Sequence, residues 1–266
     1  MPLFSRICLA AGFFFLYAPM LVLILYSFNE SERVNIWAGF SVRWYGELFR
    51  DEAMMAALWM SFRLAFAAAS AAIVLGTLAA LALTRLRKFR GKTLFASMVT
   101  APLVMPEVIT GLSLLLLFVG MANTFGWPAQ RGFLTIWIAH VTFCMAYVTV
   151  VVSSRLRELD VSLEEAAMDL GASRFTSFVH ITLPIIAPAL VSGWLLAFTL
   201  SLDDLVIASF VAGPASTTLP MLVFSSVRMG LSPQINALAT LLILAVSLAA
   251  MLAYWIMLRD ERRRRV

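Results

Sequence analysis

EAAMDLGASRFTSFVHITLP, residues 165–184, is a mixed-charge, helix-favouring stretch set between two long apolar segments. Just ahead of it, Ser162 and Glu165 have the spacing of an S-x-x-E capping box, in which each side chain satisfies a free backbone N–H at a helix start. Gly171 suits the left-handed position that closes a short helix. A second short helix is predicted from Ser173 through Phe175, Phe178 and Ile181, ending before Pro184. Two capped helices in so short a loop point to a docking surface rather than a plain connector.

Outside this loop the chain is apolar. At 62% hydrophobic residues and a mean hydropathy of +0.91, 266 residues do not make an ordinary soluble domain. About 20 apolar residues cross the roughly 30 Å of hydrocarbon in a bilayer. Six runs qualify: 7–28, 57–83, 94–119, 133–154, 185–211 and 235–258. None alternates like a barrel strand, so helices satisfy their backbones. The class is an all-α membrane protein with six transmembrane helices.

Lys and Arg orient it. One side carries Arg6, the basic loop from Arg85 to Lys92, Arg155, Arg157, Arg174 and the tail from Arg259, fourteen basic residues in all. The other has Arg33, Arg43, Arg50, Arg131 and Arg228, with Arg63 near its edge. That asymmetry places both termini and the 165–184 loop in the cytoplasm. The net charge of +5 therefore reflects topology, and the tail suits anionic lipid rather than nucleic acid.

Residues 1–56 are expected to form an uncleaved transmembrane helix and a periplasmic amphipathic segment, 57–258 the core, and 259–266 a basic cytoplasmic tail. In the amphipathic segment 41–55 (SVRWYGELFRDEAMM), Trp44 and Tyr45 read as interface anchors. Cys8 and Cys144 lie inside spans, where they are expected to pack as small apolar groups rather than pair.

Catalytic chemistry is not visible. Gly91-Lys92-Thr93 resembles the end of a phosphate-binding loop, but Leu86 stands where the leading glycine belongs and no strand precedes it. His140 and His180 have no partners at metal-ligand spacing, and neither a catalytic residue, a metal ligand nor a cofactor site is assigned. Three carboxylates within spans are more informative, because an acid at membrane depth is costly and usually faces a pathway or a partner. Glu107 follows Pro106 in a run also loosened by Pro102 and Gly111, which predicts a discontinuous helix. It then either faces the pathway or caps the restarted helix. Asp203 and Asp204 are neighbours, so on one helix they point about 100° apart. One can line a pathway while the other pairs with a neighbouring helix or caps a break; a place at the watery outer mouth is the other reading. Tyr147, Trp137 and Trp194 rank below the acids as cation-binding faces.

Glu165-Ala166-Ala167, Gly171 after three residues, and Ile181-x-Leu183-Pro184 after nine more resemble the EAA loop of ABC-importer permeases. The resemblance implies a type I importer permease fold. It also implies that Glu165, Ala166, Ala167, Gly171, Ile181, Leu183 and Pro184 seat in a cleft on a cytoplasmic ATPase subunit. Residues 101–114 (APLVMPEVITGLSL), 198–211 (FTLSLDDLVIASFV) and 217–221 (TTLPM) are similar to permeases of polyamine importers, above all the putrescine type. From that similarity follow the expected partners: a dimer of ATP-binding subunits, a second homologous permease and a periplasmic polyamine-binding protein. Glu107, Asp203 and Asp204 become candidate pathway residues for a polycation. Two alternatives stand beside this reading, a permease for another small solute and a secondary transporter using intramembrane carboxylates. The latter would not need the docking loop and would usually show an internal repeat, which the chain lacks.

Overall fold

A computed structural model describes residues 3–33, 36–86, 89–229 and 232–264. Arg87, Lys88 and Arg265, counted on the basic side above, lie outside the described residues, as do the side chains of the tail from Arg259. The helices are α1 (Leu3–Ser27), α2 (Arg43–Arg50), α3 (Glu52–Arg85), α4 (Lys92–Val104), α5 (Glu107–Phe125) and α6 (Phe133–Glu158). Then come α7 (Ser162–Asp169), α8 (Arg174–Ser177), a π turn at Phe178–Thr182, α9 (Leu183–Asp203), α10 (Val206–Val211), α11 (Leu219–Met229) and α12 (Pro233–Arg264). Among the described residues there is no strand, only an isolated bridge between Asn29 and Phe40.

Five continuous helical stretches among the described residues are long and apolar enough to cross a membrane: α1, α3, α5, α6 and the run Arg174–Asp203. α1 is apolar on all sides and buries none of its most apolar 18 residues within the chain, as a lipid-facing helix does. The run 235–258 falls on α12, most of whose side chains beyond Leu248 lie outside the described residues. Two expected spans are broken. The run 94–119 divides between α4 and α5 at Met105-Pro106, where Pro106 has no N–H to continue the ladder. The run 185–211 divides after Asp203, with Asp204 extended at ψ 122°.

The chain forms two units, Ala57–Leu222 and the remainder from both ends. In the second, Asn29 organises the link after α1. Its side chain accepts the Ala38 N–H at 2.9 Å and donates to the Ile36 carbonyl at 2.7 Å, while its own carbonyl accepts the Trp44 indole N–H at 2.7 Å. Trp44 and Leu48 of α2 are buried. This corrects the reading of Trp44 as an interface anchor: its ring is packed within the chain, because Asn29 offers its N–H a partner there.

In the unit Ala57–Leu222, α6 is central. Ile136, Ala139, Cys144, Val148 and Val152 pack with Leu64, Ala69 and Ala72 of α3, Ile186 and Ala197 of α9, and Ile207 and Val211 of α10. Small residues let the helices approach closely, as membrane helices require. A Cβ at Gly76 would lie 2.5 Å from Val148 Cγ1, so α3 and α6 touch there only because that side chain is missing. Cys144 is buried and donates to the Ala197 carbonyl at 3.4 Å, whereas Cys8 is exposed on α1 instead of packed.

Candidate functional site

Glu165, Ala166 and Ala167 lie on α7, and Gly171 closes it. The expected capping box does not form. Ser162 is already inside the helix, and the upstream Asp160 carboxylate accepts the Ser162 N–H at 2.9 Å instead. That contact holds the Asp160 carboxyl below its ordinary value, the backbone N–H of Ser162 being the main cause and its side chain the second. At the other end the chain makes a Schellman closure. Gly171 has φ 92°, its N–H donates to Met168 at 2.9 Å, and the Ala172 N–H donates to Ala167 at 3.0 Å.

Ser173 opens α8 with its hydroxyl accepting the Thr176 N–H at 3.1 Å. The helix does not stop before Pro184. A π turn at Phe178–Thr182 carries it into α9, and the Leu183 N–H reaches back to the Phe178 carbonyl. The wider turn resets the ladder just before a residue that has no N–H to give. Ile181 on this turn and Leu183 at the start of α9 are half-buried, and Pro184 is exposed.

The loop is tied down by a contact that its own residues do not announce. Glu164 Oε1 accepts from Arg85 Nη2 at 3.0 Å, Arg85 Nε at 3.2 Å and Thr182 Oγ1 at 2.8 Å. Arg85 also donates to the Leu156 carbonyl at 3.1 Å, so one guanidinium joins the ends of α3 and α6 to α7. Glu164 thus faces inward while Glu165 is exposed. Around these anchors the outer surface sets large apolar side chains among exposed charges, with Leu170 90% and Phe175 76% exposed. A cleft of about 560 Å³ runs behind it, lined by Arg85, Glu164, Met168, Arg174, Phe178 and Thr182.

The three acids separate. Glu107 is the first residue of α5, exposed, where a negative charge suits the positive end of the helix dipole. Asp203 is the last residue of α9 and is exposed. Asp204 is buried, with Oδ2 3.1 Å from His140 Nε2 and its carboxylate accepting the N–H groups of Ile207 and Ala208 at 3.3 and 2.7 Å. α5 and α10 meet where a Cβ on Gly111 would lie 2.7 Å from the Phe210 ring. Glu107 stands one turn before Gly111 on α5, and Asp203 ends α9 just ahead of the break that opens α10. The aromatics are occupied in packing: Trp194 stacks on Phe198 with ring centres 5.3 Å apart, and Tyr147 sits edge-on to Phe143 at 5.1 Å. Among the described residues, no group of His, Cys, Asp and Glu could hold a metal ion.

A helical membrane chain with broken spans and an exposed, anchored helical loop is the form of an importer permease. Residues 72–266 match the family described as the binding-protein-dependent transport system inner membrane component, and the chain belongs to that family. It is a multi-pass inner-membrane permease subunit of an ABC importer, not an enzyme, and ATP hydrolysis falls to a separate subunit. It is 66% identical over 258 residues to the putrescine transport system permease protein PotI of Escherichia coli, covering 97% of this chain and 92% of that one. To the spermidine/putrescine transport system permease protein PotC of the same organism it is 40% identical over 255 residues, covering 96% and 94%. Among solved structures, a bacterial ABC transporter involved in import of the acidic polysaccharide alginate matches with a TM-score of 0.70 at 14% identity, over 96% of this chain and 94% of that one. An amino acid ABC transporter matches with a TM-score of 0.54 at 20% identity, over 80% and 96%. At those identities the likeness is one of fold.

Proposed function

We propose that this chain forms half of the translocation pathway of an ATP-driven polyamine importer, with putrescine as its substrate. The observation that carries the reading is the pair of exposed carboxylates, Glu107 and Asp203, at two breaks leading into one helix crossing. Broken helices are how membrane transporters build a polar site at depth. A diamine cation is attracted by carboxylates and repelled by lysine. The 66% identity to a putrescine permease supports the same substrate.

In this reading residues 57–258 are the permease core, between the N-terminal helix with its periplasmic segment (1–56) and a basic tail (259–266). Both termini and the 165–184 loop face the cytoplasm. There Glu165, Ala166, Ala167, Gly171, Ile181, Leu183 and Pro184 seat against an ATPase subunit, with Leu170 and Phe175 supplying apolar contact. The partners are a dimer of ATP-binding subunits, a second homologous permease, a periplasmic polyamine-binding protein and the surrounding lipid. The test is ATP-dependent uptake of labelled putrescine into vesicles holding the assembled transporter, with spermidine, an uncharged diol and an amino acid as competitors. Competition by spermidine alone supports the reading. Uptake indifferent to putrescine but driven by another solute refutes the substrate, and failure to co-purify an ATPase subunit refutes the assembly.

A further inference from the structure

His140 stands in the buried part of α6, 1% exposed, with both ring nitrogens engaged. Nδ1 is 2.7 Å from Ser201 Oγ on α9, and Nε2 is 3.1 Å from Asp204 Oδ2 at the break beyond it. A carboxylate as buried as Asp204 persists only when its oxygens are fully engaged. It has three donors here: the imidazole, the Ile207 N–H and the Ala208 N–H. With the proton on Nε2, the ring donates to Asp204 and accepts the Ser201 hydroxyl, so every group has a partner.

α10 spans six residues, too few to hold a helix by itself, and Asp204, one residue ahead of its N-cap Leu205, accepts the Ile207 and Ala208 N–H groups of its first turn. Drawing the Asp204 carboxylate inward takes its backbone out of the helix, to ψ 122°, and ends α9 at Asp203. Asp203 is left exposed on the last turn. Were α9 continuous through α10, Asp203 would share a face with the buried Ile207 instead. Asp203 lies on the same exposed stripe of α9 as Leu196 and Thr199, so what its neighbour's anchor supplies is the open helix end: the break keeps Ile207 buried instead of continuing the helix over the acid.

We propose that His140, with Ser201, is a positioning residue: it locks Asp204 and the α9–α10 break, and the lock presents Asp203 to the transported cation. The functional half rests on the polyamine-importer reading; the structural half does not. Asp204 is on this account a keystone rather than a pathway residue, although sequence alone gives it the same standing as Asp203.

The test uses the complete transporter in membranes, with Cys8→Ser removing the exposed native thiol and Asp203→Cys adding a reporter. Labelling of position 203 by a polar maleimide is followed by mass spectrometry of this subunit, with His140, His140→Gln or His140→Leu present. Replacing His140 by Leu leaves a buried carboxylate short of a donor; labelling is expected to fall roughly tenfold, the equivalent of 1.4 kcal/mol. His140→Gln, whose amide can donate to Asp204, recovers most of the wild-type rate. With Asp203 intact, putrescine uptake per assembled complex follows the same order. If His140→Leu does not assemble, Ser201→Ala gives a smaller change in the same direction. Unchanged labelling in the assembled His140→Leu complex, or in Ser201→Ala where that complex is absent, overturns the proposal; so does a Gln variant as impaired as Leu. Labelling needs no substrate, so a wild-type complex that ignores putrescine refutes the polyamine reading and leaves this result to stand by itself.

Discussion

Gly171 shows how one residue fixes a surface. Its φ of 92° is a conformation that L side chains rarely adopt, and the two hydrogen bonds closing α7 depend on it. A Cβ there meets nothing within 4 Å, so the cost of substitution is conformational rather than steric. Gly171→Leu is expected to destabilise the closure by roughly 1 kcal/mol or more and to set bulk on the exposed face. Uptake should fall while insertion into the membrane is unchanged; wild-type uptake with normal ATPase co-purification would remove the loop from coupling. Asp160 gives a pH signature at the other end of α7. Its carboxyl is held below the ordinary value by Ser162, so the ionised form stabilises the folded loop. That contribution is fully present above the unfolded value near 3.9 and disappears as pH falls through the lower folded value. Amide exchange at residues 162–165, corrected for intrinsic rates, should rise in that acid window, and Asp160→Asn should abolish the pH dependence. An Asp160→Asn protein with the same acid-window rise would show that another group is responsible.

At the level of elements, the loop was legible in outline and its fastening was not. Gly171 and Ser173 announce a helix end and a helix start because closure and capping are local, set within four residues by backbone N–H groups and one side chain. The Ser162–Glu165 capping box failed for an equally local reason: Asp160 takes the Ser162 N–H that the Glu165 carboxylate would have accepted, and the helix starts one residue early, with Val161 at its N-cap. Pro184 read as a stop, yet a π turn absorbs it, a remedy that sequence spacing does not display. Arg85 and Glu164 are 79 positions apart, and no pattern in one chain links them. Likewise His140 finds Asp204 only once α6 and α9 are packed, although the mid-span carboxylates were visible from the first. The hub at Glu164 Oε1 carries its own prediction. Its side chain and that of Arg85 are 18% and 20% exposed, dry enough for the pair to count. Glu164→Ala leaves Arg85 and Thr182 short of an acceptor and should cost roughly 1–3 kcal/mol. Arg85→Ala should add little to it, since both break one network. Thermal unfolding of the solubilised complex measures both variants and the double. Fully additive losses would mean that the two side chains act separately.

For the whole molecule, the question is how a chain rich in hydrocarbon offers a route to a diamine. Its spans are apolar, and the exposed carboxylates at the two breaks are Glu107 and Asp203. In a partly wet cavity, one carboxylate several ångström from an ammonium contributes roughly 1–3 kcal/mol at an effective dielectric near 20. Losing it corresponds to about five- to a hundredfold in affinity or rate. Glu107→Gln and Asp203→Asn should therefore slow uptake within that range while the assembled complex forms at normal yield. Asp204→Asn should behave differently. It weakens the acceptor for two backbone N–H groups and His140, so the amount of folded complex falls first, and the uptake lost per assembled complex follows from the displaced break. The measurement is labelled putrescine uptake divided by assembled transporter, set beside yield after detergent extraction. Three neutral variants transporting at the wild-type rate would strike the acids from the pathway. An Asp204→Asn complex assembling normally, with the largest transport defect of the three, would exchange the roles assigned to the two neighbouring aspartates.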